Sequence, residues 1–180
     1  MAKKETKIET KEIYNGKVVK LRVDKIAIEG KDDISYREVI HHNGGCSALI
    51  KTKDDKIIFV HQFRYAYNDF TLELPAGKCE IGEKPIETIA REVSEEVGII
   101  PLHIEEMGYM YPSPGYTDEV IHLFYIDEYQ ECSTHFDDDE DLDRYEYNYD
   151  EVMEMINNGK IVDAKTLILI YKCQNKFKNN

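Results

Sequence analysis

Arg91, Glu92, Glu95 and Glu96 fall within six residues of one another in the stretch REVSEE. On a helix turning about 100° per residue the three carboxylates form one arc, because positions three and four apart are neighbours. Like charges at that spacing repel. A solvated acidic face tolerates them in one way, and a hard divalent cation held by oxygen ligands tolerates them in another. Two features favour the cation. The arc borders the apolar stripe of Ile86, Ile89, Ala90, Val93 and Val97 instead of lying opposite it, and the helix is entered through a loop carrying Gly77 and Gly82.

The surrounding sequence predicts the elements that hold this helix. Pro85 suits its first turn, with Glu83 and Glu87 near its positive end. Gly98 supplies a left-handed C-terminal position and Pro101 prevents continuation. Before it, strands are predicted at 46–50, 57–65 and 70–76; after it, at 103–111, 120–129 and 144–149, with helices over about 150–158 and 163–176. Nearer the start, Asn15-Gly16 marks a hairpin turn and 34–41 another strand, while residues 1–11 read as a frayed charged tail. This order predicts an α+β or α/β fold, with a mixed sheet between helices. The boundaries are 1–43 for an N-terminal β region, too small to stand alone, and 44–180 for the main domain.

Composition narrows the function. The 180 residues carry 23 Lys/Arg and 36 Asp/Glu, a net charge of −13, which argues against generic binding to nucleic acid or anionic membrane. No run approaches the roughly 18 apolar residues of a membrane span, and MAKKETKIETKEI lacks the apolar core of a secretory signal, so a cytoplasmic protein is expected. Cys46, Cys79, Cys132 and Cys173 form no CxxC pair and read as reduced and mostly structural.

Gly77, Glu83, Arg91, Glu92, Val93, Glu95, Glu96, Gly98 and Ile99 meet every fixed position of a Gly-x5-Glu-x7-Arg-Glu-apolar-x-Glu-Glu-x-Gly-apolar pattern. The segment Gly77–Ile99 thus resembles the Nudix box. The resemblance implies an α/β/α sandwich that hydrolyses nucleoside diphosphates linked to another moiety, using a divalent metal, Mg²⁺ with Mn²⁺ as a possible substitute. Metal ions there screen the diphosphate charge and activate water. Carried over by position, Glu92 and Glu96 are the principal metal ligands, Glu95 is shared or lies behind them, and the Ala76 carbonyl is a further ligand. Arg91 orients a carboxylate, with Glu83 the candidate, or acts in catalysis.

Outside the box, four segments resemble the ADP-ribose pyrophosphatases of that family: His61–Tyr65, Leu72–Gly77, Tyr111–Glu119 and Gly159–Thr166. They imply ADP-ribose as substrate, with AMP and ribose 5-phosphate as products. Arg64 is a candidate for the diphosphate, since a guanidinium fork suits it, or it makes a surface ion pair. Glu73 accepts from a ribose or an adenine amine, or is a strand-edge carboxylate. Pro114, Gly115 and Glu119 belong to the implied substrate loop. Glu140 aligns with a short acidic motif and is the candidate general base, with Asp138, Asp139 and Asp141 as alternative registers. The resemblance further implies a homodimer joined through the N-terminal strands, with Tyr14 or Tyr36 stacking on adenine. Alternatives are hydrolysis of another nucleotide sugar, such as GDP-mannose, and a non-catalytic domain that senses ADP-ribose.

Overall fold

The computed structural model describes residues 2–134 and 142–177. The chain divides into two compact units, Met1–Asn43 with Tyr111–Val120, and Gly44–Met110 with Ile121–Asn180.

The first unit contains β1 (Glu5–Asn15), β2 (Lys20–Ile28) and β3 (Ile34–His41), an antiparallel sheet in the order β1-β2-β3. Asn15 pairs with Lys20, so the turn spans residues 16–19 and is closed by the Gly16 N–H donating to the Val19 carbonyl (2.9 Å). The expected frayed tail is a strand from Glu5 onward. Every β1 residue is exposed, so no hydrophobic alternation advertises it. It is held by its ladder to β2 and by cross-strand contacts such as Thr10 Oγ1 donating to Asp24 Oδ1 (2.6 Å). Residues 111–120 fasten to β3 in the same unit. The Ile40 N–H donates to the Tyr116 carbonyl (2.7 Å), and the Asp118 N–H to the Ile40 carbonyl (3.1 Å). The Asp118 carboxylate lies 3.0 Å from His41 Nδ1 and accepts from the His42 N–H (2.9 Å).

The second unit runs β4 (Gly45–Ile50), β5 (Lys56–Arg64), β6 (Asp69–Glu73), β7 (Ala76–Lys78), α1 (Pro85–Val97), β8 (Ile99–Met110), β9 (Ile121–Glu131), β10 (Asp143–Asn148), α2 (Tyr149–Asn157) and α3 (Ala164–Lys172). Its strands form a mixed sheet, β7-β4-β9-β8, in which β4 and β9 are parallel, and an antiparallel sheet, β10-β5-β6.

Period-2 alternation explains the layering. Cys46, Ala48 and Ile50 of β4, Ile58 and Val60 of β5, and Phe124 and Ile126 of β9 share one core with Ile89, Val93 and Val97 of α1. The intervening Leu49, Ile57, Phe59, Leu123 and Tyr125 share a second core with Val152 and Met155 of α2 and Leu169 and Ile170 of α3. Strands buried on both faces read as continuous apolar runs, and the result is the helix–sheet–helix sandwich expected above. Ile86, assigned to the apolar stripe, is 38% exposed and does not join the core that Ile89, Val93 and Val97 enter.

Candidate active site

Helix α1 buries two adjacent rows of side chains. Ile89, Val93 and Val97 enter the core, while Thr88, Glu92 and Glu96, each four residues apart, form a polar row beside them. Glu92 is 9% and Glu96 4% exposed. Two buried carboxylates on one helix face need strong compensation, because burial penalises the charged form.

The local sequence supplies part of that compensation. The Ala76 N–H at the start of β7 donates to Glu96 Oε2 (3.0 Å). Gly77 follows because a Cβ there would overlap the Glu92 side chain from Cγ to Oε1. Pro75 is fixed by the Ser47 hydroxyl and the Ala48 N–H, both donating to its carbonyl at 3.0 Å. At the far end of α1, Gly98 adopts φ 68°, and its N–H closes the helix on the Val93 carbonyl.

Arg91 is the hub of the carboxylates. Its guanidinium lies 2.9 Å from Glu92 Oε1 and donates to Glu95 Oε2 (2.8 Å) and to both Glu83 oxygens (3.3 and 3.4 Å). Burial works against its charge, but the Glu83 hydrogen bonds and the nearby Glu92 more than offset this and raise its pKa. In return Arg91, together with the Thr88 hydroxyl, brings the Glu83 carboxyl down to about 2. Arg91 and Glu83, paired in the sequence reading, are thus in contact.

The donor set at this face is all oxygen, which fits a hard divalent cation. Among the described residues, no three His, Cys, Asp or Glu side chains converge into a ready-made cage. The reason is visible in the contacts above: Arg91 draws on Glu92 and Glu95, and Ala76 meets Glu96 through its N–H. Glu140, Asp138, Asp139 and Asp141 lie outside the described residues.

Arg64 and Glu73, read separately in the sequence, come together. Arg64 Nε and Nη2 donate to Glu73 Oε1 and Oε2 at 2.7 and 2.6 Å, and Lys165 Nζ also bonds Glu73. Lys165 Nζ also lies 3.0 Å from Asp163 Oδ1, which ties the pair to the start of α3. Burial alone would push the Glu73 carboxyl up; the Arg64 fork and Lys165 overcome it and hold it at about 2. Pro114 and Gly115 are exposed. Together with Glu119, whose Oε1 is 3.4 Å from His42 Nδ1, they belong to the first unit.

Sequence reading assigned no role to Asp163, Lys165 and Thr166. Asp163 caps α3 by accepting from the Thr166 N–H and hydroxyl (3.0 and 2.6 Å). Thr166 Oγ1 in turn accepts from the Leu74 N–H (2.9 Å), so the start of α3 is latched to the strand that leads into Gly77. The Asp-x-x-Thr spacing signals a helix cap and says nothing about where that cap docks.

A pH dependence follows. Because the folded pKa of Glu73 is depressed, its contribution to stability is complete above the ordinary glutamate pKa and is lost as pH falls towards 2. A shift from 4.5 to about 2 corresponds to about 3 kcal/mol. The stability advantage of the unaltered protein over Glu73→Gln should shrink by that order as pH falls from 4.5 to 2; a gap that stays constant would refute the assignment.

Comparison with known proteins settles the family. The NUDIX domain profile matches residues 41–168. The chain belongs to the Nudix family. One Nudix relative, the ADP-ribose pyrophosphatase of Bacillus subtilis (strain 168), is 34% identical over 175 residues, covering 96% of this chain and 94% of that protein. The methanol dehydrogenase activator of Bacillus methanolicus is 36% identical over 172 residues, covering 94% and 92%. A solved ADP compounds hydrolase superposes with a TM-score of 0.85 at 15% identity, covering 99% of this chain and 96% of that one, which supports the Nudix fold alone. Nudix hydrolases act on small nucleotide-linked substrates and generally use divalent metals.

Proposed function

We propose that this Nudix hydrolase cleaves the diphosphate linkage of ADP-ribose by water attack on phosphorus, releasing AMP and ribose 5-phosphate, with Mg²⁺ as its metal and Mn²⁺ as a substitute. The observation that carries the reading is Arg64, a guanidinium suited to phosphate oxygens, forked to Glu73 three residues before Ala76, whose N–H bonds Glu96 of the carboxylate row. The similarity to an ADP-ribose pyrophosphatase along nearly the whole chain supports the choice of substrate. Glu92 and Glu96, with Glu95 and the Ala76 carbonyl, are the groups assigned to the metal, which would screen the diphosphate and activate water. Arg91 orients the carboxylates, Glu140 serves as base, and Pro114, Gly115 and Glu119 form the substrate loop.

The reading includes a homodimer formed through the N-terminal region, residues 1–43, against the domain 44–180 of a second copy. Charge supports it: residues 1–43 hold 10 Lys/Arg and 8 Asp/Glu (net +2), and residues 44–180 hold 13 and 28 (net −15). Ile8, Ile13, Tyr14 and Tyr36 are exposed in the first unit and are apolar surface for such a partner. Four free cysteines, three of them buried, fit a reducing compartment such as the cytoplasm. Among the described residues no helix is long and apolar enough to cross a membrane.

The test is incubation with ADP-ribose and Mg²⁺, with AMP and ribose 5-phosphate measured, beside a panel containing GDP-mannose. Formation of AMP is expected. Turnover of GDP-mannose with ADP-ribose untouched would move the substrate assignment. A second reading, regulation of a partner enzyme by a domain that binds ADP-ribose without cleaving it, is favoured by the relative described as a dehydrogenase activator. Tight ADP-ribose binding without turnover would select it.

A further inference from the structure

Glu73 is more heavily bonded than a strand-edge carboxylate needs to be. Its Oε1 accepts from Arg64 Nε (2.7 Å) and Thr71 Oγ1 (2.5 Å). Its Oε2 accepts from Arg64 Nη2 (2.6 Å) and from Lys165 Nζ. A carboxylate offers about four lone-pair sites, and four donors occupy them. Nothing remains to receive a ribose hydroxyl or an adenine amine, so Glu73 acts as an anchor and not as a substrate contact.

Lys165 is equally committed. Its side chain is 12% exposed, and Nζ meets Asp163 Oδ1 at 3.0 Å as well as Glu73. Asp163 is itself fixed as the cap of α3. Two cations and two anions thus alternate from Arg64 through Glu73 and Lys165 to Asp163. Arg64 is the most exposed member of this chain, at 39% against 20% for Asp163. Nε and Nη2 face Glu73, and Nη1 makes no hydrogen bond among the described residues.

We propose that Lys165 is a positioning residue for phosphate recognition. It holds the Glu73 carboxylate, Glu73 holds the Arg64 fork, and Arg64 Nη1 is left directed at an anionic phosphate oxygen of the substrate. An arginine locked by two parallel bonds loses less freedom on binding its ligand than one that must first be ordered. The inference rests on the diphosphate reading above, but not on ADP-ribose being the substrate.

The test is a double-mutant cycle between Lys165→Met and Arg64→Ala, read by calorimetric binding of pyrophosphate in the presence of Mg²⁺ and by steady-state kinetics. Lys165→Met should weaken pyrophosphate binding on the order of tenfold, the scale on which supporting partners act. KM should rise in parallel, with kcat changed less than about threefold. In the Arg64→Ala background the same substitution should add less than about twofold, since the residue it works through is gone. Effects that multiply across the two backgrounds would overturn the proposal, as would a loss confined to kcat. Failure of the unaltered protein to bind pyrophosphate would overturn it too. Should Lys165→Met not fold, Lys165→Arg and Lys165→Gln enter the same cycle, with Lys165→Arg expected nearer the unaltered protein. Pyrophosphate binding that follows this pattern without ADP-ribose cleavage would reject the substrate and leave the role of Lys165 standing.

Discussion

Replacing Glu96 with Gln should lower turnover by more than the roughly 10–100-fold that a change behind the metal ligands costs, with the fold intact. The amide keeps the shape of the side chain, and its oxygen can still accept from the Ala76 N–H, now at 3.0 Å from Glu96 Oε2. What disappears is the charge. At 4% exposure that charge is desolvated, and a neutral isostere removes the penalty. Thermal stability is therefore expected to hold or rise while turnover collapses. Opposite signs in the two measurements distinguish loss of a metal-binding charge from general damage. Kinetics on the best substrate beside a melting curve decide it, and undiminished turnover would refute the metal assignment.

Gly77→Ala separates fold from function in another way. Gly77 lies outside the left-handed region, so its backbone suits any residue. The three atoms nearest the place a Cβ would take are all Glu92's: Cδ, Oε1 and Cγ. Alanine must expel Glu92 from the polar row and from its 2.9 Å contact with Arg91. Activity should fall at least about a hundredfold, the upper end of the loss expected when a supporting partner is removed. Stability should drop only by the roughly 1–3 kcal/mol typical of overpacking. Truncating Glu92 in the same chain, as Gly77→Ala/Glu92→Ala, should recover stability and leave activity lost. A Gly77→Ala variant with full activity would show that Glu92 does not act from this position.

The box was legible because its chemistry is local. Pro85, Gly98 and the apolar stripe beside Glu92, Glu95 and Glu96 fix the limits and one face of α1 within a few turns, whereas the split of Glu92 and Glu96 into a buried row with Thr88 needed the packing. Legibility failed where partners are distant or faces are exposed. The β1 strand carries alternating Thr, Lys and Glu with no buried side, so composition read it as a tail. Glu73 and Lys165 are separated by 92 positions, and neither residue's neighbours reveal the other. His41 and Asp118, 77 apart, likewise gave no sign that residues 111–120 group with the N-terminal sheet.

The brace on Glu73 also orders events during synthesis. Arg64, Glu73 and the whole box are made before Lys165 emerges, yet Glu73 lies inside the unit with 3% of its surface exposed. Until α3 is present, the carboxylate has Arg64 but lacks its second cation, Lys165, and the Leu74 N–H lacks its acceptor on Thr166. A nascent chain that stops before residue 163 holds every box residue but neither of these two contacts. The last helix to be made therefore completes the fastening of the segment that leads to Gly77.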